Sequence, residues 1–227
     1  MTSMAIIVPS RGRPEAIRGL VEALEITKTS SPLYVIVDED DPKLQEYEDL
    51  ATELQFNYMV TEREGKGMAK PLNKAAHFLS EIGYHEHFCF LGDDHRPRTI
   101  DWDKEFVDNL DEMETGLIYG NDLFQGEELP TAVAMTGNIV KELKGMVPPG
   151  MIHLYLDNFW LQLGRDLKAI RYLPEVIVEH MHPVAGKGDW DAQYKEVNAE
   201  EVYSADAIAF KEYMASAEYQ ELLKALR

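Results

Sequence analysis

Two carboxylates and an imidazole, Asp93-Asp94-His95, follow the apolar run Phe88-Cys89-Phe90-Leu91-Gly92 with no spacer between them. Adjacent carboxylates repel each other and lose solvation on burial, so a pair placed at the end of a buried segment is best explained by a divalent cation shared with an anionic ligand. His180 and His182 share one face if the stretch around them is extended, and imidazole nitrogen is a suitable further metal ligand. Asp157 lies beside Phe159 and Trp160, where a carboxylate could take the proton of an attacking hydroxyl while the rings stack on a sugar. Asp38 closes another apolar run and could accept a hydrogen bond from a nucleobase or ribose. Lys70 precedes a helical pattern, where cation and helix dipole act together on phosphate, and Gly137 would let a ligand approach the backbone. Each also has a plainer use: Asp93 and Asp94 as a turn, Asp157 as a helix cap, Lys70 as a solvated surface group, Gly137 as a turn.

For these groups to meet, strands and helices must alternate and deliver strand ends to one edge. Residues 5–8 read as a buried strand, followed by Pro9-Ser10-Arg11-Gly12-Arg13-Pro14 and a helix whose apolar residues recur from Ala16 to Leu24. Residues 33–37, 56–60, 88–91, 117–119, 131–135 and 176–183 carry further strand patterns. Helical spacing covers residues 42–54, 71–79, 102–113, 139–144 and 152–167. Residues 204–226 suit one amphipathic helix that packs as an appendage or mediates homo-oligomer formation. The expected organisation is one α/β domain over residues 1–195 and a helical extension over 196–227. Arg11, Arg13, Arg63, Lys66, Lys70, Arg96 and Arg98 all fall in the expected loops after strands, where they would offset local anionic charge. No glycine fingerprint for dinucleotides and no phosphate loop ending in Gly-Lys-Ser/Thr is present, which argues against ordinary Rossmann or P-loop chemistry.

The bulk composition narrows the class further. With 227 residues, 45% hydrophobic and 28% charged, the chain is long enough for a substantial core. Its 41 acidic residues outweigh 22 basic ones for a net charge of −19, which disfavours non-specific nucleic-acid binding. The single cysteine, Cys89, cannot form an internal disulfide and suits a reducing compartment. No apolar run is long enough for a transmembrane segment, and the first residues lack a basic start and a cleavage site, so the expected location is cytoplasmic.

Over roughly residues 5–187 the motifs resemble those of the family 2-like glycosyltransferases of the GT-A fold. Ile6-Ile7-Val8-Pro9-Ser10-Arg11-Gly12-Arg13 resembles the family's opening strand and nucleotide-contacting loop, which implies donor contacts from Pro9 and Arg11. Val35-Ile36-Val37-Asp38 resembles its second strand, whose terminal Asp binds the base, and Gly67-Met68-Ala69-Lys70-Pro71-Leu72-Asn73 is similar to the glycine, basic residue and Asn pattern before the metal strand. Phe90-Leu91-Gly92-Asp93-Asp94-His95 resembles a reduced form of the metal-binding Asp-x-Asp motif, with Asp93 implied at the ribose and Asp94 at the metal. By the same resemblance Gly137 belongs beside the donor sugar, Asp157 is the catalytic carboxylate, and His180 or His182 is the C-terminal metal histidine. Three departures stand out: Gly92 replaces the first acidic residue of the fuller motif, Leu156 stands where a Glu usually precedes the catalytic Asp, and two histidines compete for one role.

The resemblance implies the GT-A (nucleotide-diphospho-sugar transferase) fold, an α/β architecture with a mostly parallel central sheet flanked by helices and here a C-terminal helical appendage. The implied enzyme is a metal-dependent glycosyltransferase of the hexosyltransferase type, moving a sugar from a nucleoside diphosphate sugar, with UDP the expected nucleotide, to a hydroxyl acceptor with inversion. Mn²⁺ or Mg²⁺ would bridge the diphosphate, Mn²⁺ being better suited to mixed oxygen and nitrogen ligands. Lys70, Arg11 and Lys187 would offset the remaining phosphate charge. The competing readings are a nucleotidyltransferase, which the single glycine in the loop after the first strand suits poorly, and a non-catalytic nucleotide-sugar binding protein.

Overall fold

A strand buried on both faces needs an unbroken apolar run, and β1 (Met4–Pro9) has one: Ala5 and Ile7 face one side of the sheet, Met4, Ile6 and Val8 the other. The same division holds in β2 (Leu33–Asp38) and β4 (His87–Phe90). The structure, a computed structural model, describes residues 3–188, 190 and 192–227. With β3 (Asn57–Thr61), these strands form a parallel set in the order β3-β2-β1-β4. Their connections are α1 (Pro14–Ile26), α2 (Leu44–Leu54) and α3 (Ala69–Ile82). Pro14 opens α1 because its ring presets a helical φ and it has no N–H to leave unpaired.

Beyond β4 the sheet becomes mixed. β5 (His95–Pro97) follows at once, then α4 (Trp102–Asp111), β6 (Leu117–Asn121), β7 (Val133–Thr136), α5 (Gly137–Leu143), α6 (Leu156–Leu167) and β8 (Ile170–His180). β7 runs antiparallel to both β4 and β6, β8 runs parallel to β6, and β5 closes the sheet antiparallel to β8. Helices α1, α2 and α4 cover one face, while α3, α5 and α6 cover the other. β8 begins at Ile170, earlier than the apolar pattern indicates, because its first half is half-buried and carries Arg171, Pro174 and Glu175.

The reversal of β7 corrects the expected place of Gly137. Thr136 pairs with His87, the first residue of β4, so Gly137 lies at the amino edge of the parallel strands. There its N–H donates to Glu86 O at 2.8 Å, and an added Cβ would stand 2.8 Å from the same oxygen. Its small size serves the packing of this edge against β4.

The single helix expected near the C-terminus is α8 (Glu200–Met214) and α9 (Ala217–Ala225), preceded by α7 (Ala192–Val197). The break falls at Ser216, whose hydroxyl accepts the Tyr219 N–H at 3.1 Å and starts α9. Tyr213, Tyr219, Leu222, Leu223 and Leu226 join the same apolar cluster as Phe159 and Trp160 of α6. Asp206 of α8 is fully buried, and its carboxylate accepts the backbone N–H groups of Ile152, His153 and Leu154 at 2.6, 2.9 and 2.7 Å. That clamp, with Tyr155 at φ 61°, explains why α6 starts at Leu156 rather than at residue 152. No helix of the described residues is long and apolar enough to cross a membrane.

Replacing Asp206 by Ala strands three half-buried N–H groups, and each unmade bond costs about 1–3 kcal/mol when fully shielded from water. The expected result is a loss of about 3 kcal/mol or more in urea unfolding, with Asp206→Asn, which keeps a carbonyl acceptor, losing less. Equal midpoints for the wild type and Asp206→Ala would show that the clamp carries no stability.

Candidate active site at the carboxyl edge of the sheet

The carboxyl ends of β1, β2, β4 and β8 open into one cleft of about 1170 Å³, its mouth included. Pro9, Ser10, Arg11 and Asp38 line one part, Asp93, Asp94, His95 and His180 another, and His153 and Asp157 a third. Such an edge is where open α/β sheets place ligands, because the loops there are free of the helix packing behind them.

The corner that holds Asp94 is built by strand pairing. After β4 the chain turns through Gly92-Asp93-Asp94 and returns as β5, whose first residue, His95, pairs with His180, the last residue of β8. Paired residues share a face, and the two imidazoles stack with centroids 4.3 Å apart and planes 16° from parallel. Asp94 lies against both, Oδ2 being 3.3 Å from His180 Nε2 and Oδ1 3.6 Å from His95 Nδ1. Among the described residues, these three form a group whose potential ligand atoms all lie within 4.8 Å of one another. The Gly92 N–H donates to His95 Nδ1 at 2.9 Å, so the His95 proton resides on Nε2, a buried atom without a partner; His180 Nδ1 is likewise buried and unpartnered. Burial, reinforced by His180, lowers the His95 pKa to about 3 and keeps that ring neutral. Burial opposes ionisation of Asp94, but His180, His95 and Arg13 together hold its carboxyl well below the usual range. An ionised carboxylate beside imidazole nitrogen, with orphaned polar atoms at the same corner, is a donor set that fits a divalent transition-type cation. Gly92 suits this turn: a Cβ there would stand 2.6 Å from Asp94 Oδ1 and 2.9 Å from His95 Nδ1 and would push them from their places.

Asp93 points away from Asp94 into a separate network. The Arg13 N–H donates to Tyr47 Oη at 2.7 Å; Ser10 gives its one hydroxyl proton to Asp93 Oδ2 at 2.7 Å, so Tyr47 is the donor to Ser10 Oγ at 2.8 Å. The Arg13 guanidinium lies 3.4 Å from Asp93 Oδ1. Burial and then the charge of Asp94 raise the Asp93 pKa to about 6 despite those donors. Arg11 joins Asp38 at 3.3 Å to Asp40 at 2.7 Å, and burial raises the Asp38 pKa although Arg11 opposes it.

Asp157 sits in the first turn of α6 and lines the cleft; its Oδ1 accepts the Asn158 N–H at 2.9 Å, and burial raises its pKa. The neighbouring rings do not serve as a sugar platform. Helical rotation carries Phe159 into the core, and Trp160, although it borders the cleft, is 1% exposed and donates from Nε1 to Met146 O. His182 lies past the end of β8, so it does not continue the face of His180; its ring is turned 74° from that of His180. Its Nδ1 accepts the Val184 N–H at 3.1 Å, leaving Nε2 to donate to Tyr194 Oη at 2.9 Å. Lys70 is not among the cleft-lining residues: it is 55% exposed and lies 3.7 Å from Glu64. Lys187 pairs with Glu179 at 2.8 Å, and Arg96, far from being a loop cation, is half-buried in β5 and donates to Asp93 O, His95 O and Ala16 O. Of the residues the sequence marks as a site, the structure gathers Pro9, Arg11, Asp38, Asp93, Asp94, Asp157, His180 and His182 into the cleft, and leaves Lys70 and Gly137 outside it. It adds Ser10 and His153, and it brings in Arg13 and His95, which the sequence names beside those residues.

The sheet order, the helix layers and the cleft define the GT-A fold, that of nucleotide-diphospho-sugar transferases. The chain is similar in structure to the mannosyltransferase PcManGT from Pyrobaculum calidifontis in complex with GDP-Man and Mn²⁺, with a TM-score of 0.63 at 15% identity over 98% of this chain and 68% of that one. It is similar to glucosyl-3-phosphoglycerate synthase from Mycobacterium tuberculosis, seen with Mn²⁺, UDP and glucosyl-3-phosphoglycerate, with a TM-score of 0.61 at 10% identity over 90% of this chain and 78% of that one. It is similar also to TarS of S. aureus, with a TM-score of 0.58 at 15% identity over 96% of this chain, which spans only 45% of TarS. No protein-family model matches the sequence, and no curated sequence relative matches it.

Gly92→Ala is expected to drive Asp94 and His95 apart and to lower the unfolding free energy by about 1–3 kcal/mol, as overpacking does elsewhere. Urea titration measures this directly. An unchanged midpoint would mean that the turn has space for a methyl group.

Proposed function

We propose that the chain is a metal-dependent glycosyltransferase of the hexosyltransferase type that moves a sugar from a nucleoside diphosphate sugar, UDP-linked, to a hydroxyl acceptor with inversion. The observation that carries this reading is the presence, in one cleft, of the Asp94, His95 and His180 group and of a separate carboxylate, Asp157, with a raised pKa. The fold shared with nucleotide-sugar transferases supports it.

Pro9, Arg11, Asp38 and Asp93 would take the nucleoside, Asp38 facing the base and Asp93 the ribose. Asp94 and His180 would hold the cation, with His95 stacked behind; His182, engaged by Val184 and Tyr194, orders the loop beside them. A bound Mn²⁺, which suits this oxygen and nitrogen set better than Mg²⁺ does, supplies charge neutralisation for the departing diphosphate. Asp157 accepts the proton of the acceptor hydroxyl as that oxygen bonds to the anomeric carbon. The bond from that carbon to the diphosphate oxygen breaks in the same displacement, and the nucleoside diphosphate leaves from the opposite face. A base works best when its pKa approaches the working pH, and burial moves Asp157 in that direction.

Differential scanning fluorimetry with UDP- and GDP-sugars, each with and without Mn²⁺, tests the reading, because a ligand that binds the native state raises its unfolding temperature. A Mn²⁺-dependent rise with a nucleotide sugar is expected, and its absence for every donor would overturn the reading. Asp157→Asn should keep that rise yet lose transfer by about 10²–10⁴-fold, the usual worth of a positioned base. For the wild type, kcat/KM should fall with acid through a pKa above the ordinary carboxylate value of 3.8, because Asp157 must be unprotonated to act.

A further inference from the structure

The segment before α6 has no regular secondary structure, yet it is held from two sides. Asp206 takes its N–H groups, while Ala69 N–H donates to Ile152 O at 3.0 Å and Gly67 packs so closely that a Cβ would overlap that oxygen. The clamp fixes His153, which lines the cleft and whose Nδ1 is sealed from solvent without a hydrogen-bond partner. Burial lowers the pKa of this ring to about 4, with Asp206 opposing, so the imidazole is neutral at pH 7. A neutral ring carries one proton, and a buried orphan N–H is rarer and costlier than a buried orphan lone pair. The proton therefore belongs on Nε2, the polar ring atom left to face the cleft.

Three uncharged polar residues of the same cleft each have a partner within the protein. Ser10 donates to Asp93, Thr131 donates to Asp122, and Asn198 donates to Tyr194 O. The charges that act on His153 across the cleft are Asp94 and Arg13, and Asp157 follows at the start of α6. His153 thus shares one cleft with the cation corner and with the proposed base, which follows it four positions later in the chain. A ring held neutral is suited to an uncharged hydroxyl rather than to a phosphate, which charged groups serve better.

We infer that His153 donates a hydrogen bond from Nε2 to a hydroxyl oxygen of the donor sugar and so selects which sugar the cleft accepts. The inference rests on the glycosyl-transfer reading above. The test is calorimetric titration of wild type, His153→Phe and His153→Gln with Mn²⁺ and UDP, UDP-glucose, UDP-galactose, UDP-N-acetylglucosamine and GDP-mannose. For His153→Phe, UDP affinity should stay within threefold of wild type, the preferred sugar nucleotide should weaken about tenfold, and the ranking of sugars should flatten; Gln, which keeps a donor, should restore part of the difference. Equal weakening of UDP and its sugars would reassign His153 to the phosphates, and an unaltered ranking would remove it from recognition; either result overturns the inference. If His153→Phe does not fold, His153→Gln decides alone: a changed ranking at unchanged UDP affinity supports the role, and an unchanged ranking overturns it. Wild type that binds none of these nucleotides overturns the functional reading itself, a result distinct from failure of His153 alone.

Discussion

The antiparallel pairing of β5 with β8 is the contact on which the site depends. β5 is three residues long and lies at the sheet edge, so it contributes little ladder energy of its own. What it does is geometric: it sets His95 opposite His180 and leaves the Asp93-Asp94 turn immediately before it, so that one register decides where a carboxylate and two imidazoles meet. A slip of one residue would turn every side chain of β5 to the other face and scatter the group. Arg96 guards against that slip, because its guanidinium spans Asp93 O, His95 O and Ala16 O and ties the edge strand to α1.

Two adjacent carboxylates of identical chemistry acquire opposite characters from this arrangement. Asp94 faces imidazoles and is held ionised, whereas Asp93 is enclosed among Ser10, Tyr47 and Arg13 and has its pKa raised to about 6 by burial and by its neighbour. Separating the two proton affinities lets a buried pair exist without both charges being fully exposed to each other. A side chain at Gly92 would have to displace Asp94 Oδ1 and the His95 ring, so the shortened acidic motif suits this arrangement of the turn.

Much of the architecture is legible in the residues. Apolar runs at β1, β2 and β4 are long enough to require two-sided burial, and the proline after β1 marks the start of α1. Polar residues that end those strands, Asp38 and the Asp93-Asp94 pair, reach the cleft because strand direction alone places them there. What fails is whatever depends on pairing between distant segments. β5 is too short to display alternation; the reversed direction of β7, which takes Gly137 to the far edge, has no local signature. Lys70 suits a phosphate by its place at a helix start, but the rotation of α3 turns it toward Glu64. His182 shares the strand period with His180 only on paper, since β8 stops at His180. His153 lies in a stretch without any motif and is brought to the cleft by Asp206, more than fifty positions later, a relationship that no window of sequence contains.

That same carboxylate has a consequence for biogenesis. Domains generally fold as units, so a domain is complete only when its last contributing segment is available. Here every strand of the sheet precedes Asp206 in the chain, and until α8 is in place the backbone that carries His153 toward the cleft is held only from the side of Gly67 and Ala69. A polypeptide that stops short of that helix owns every strand of the sheet and still lacks one of the two holds on the wall of its pocket.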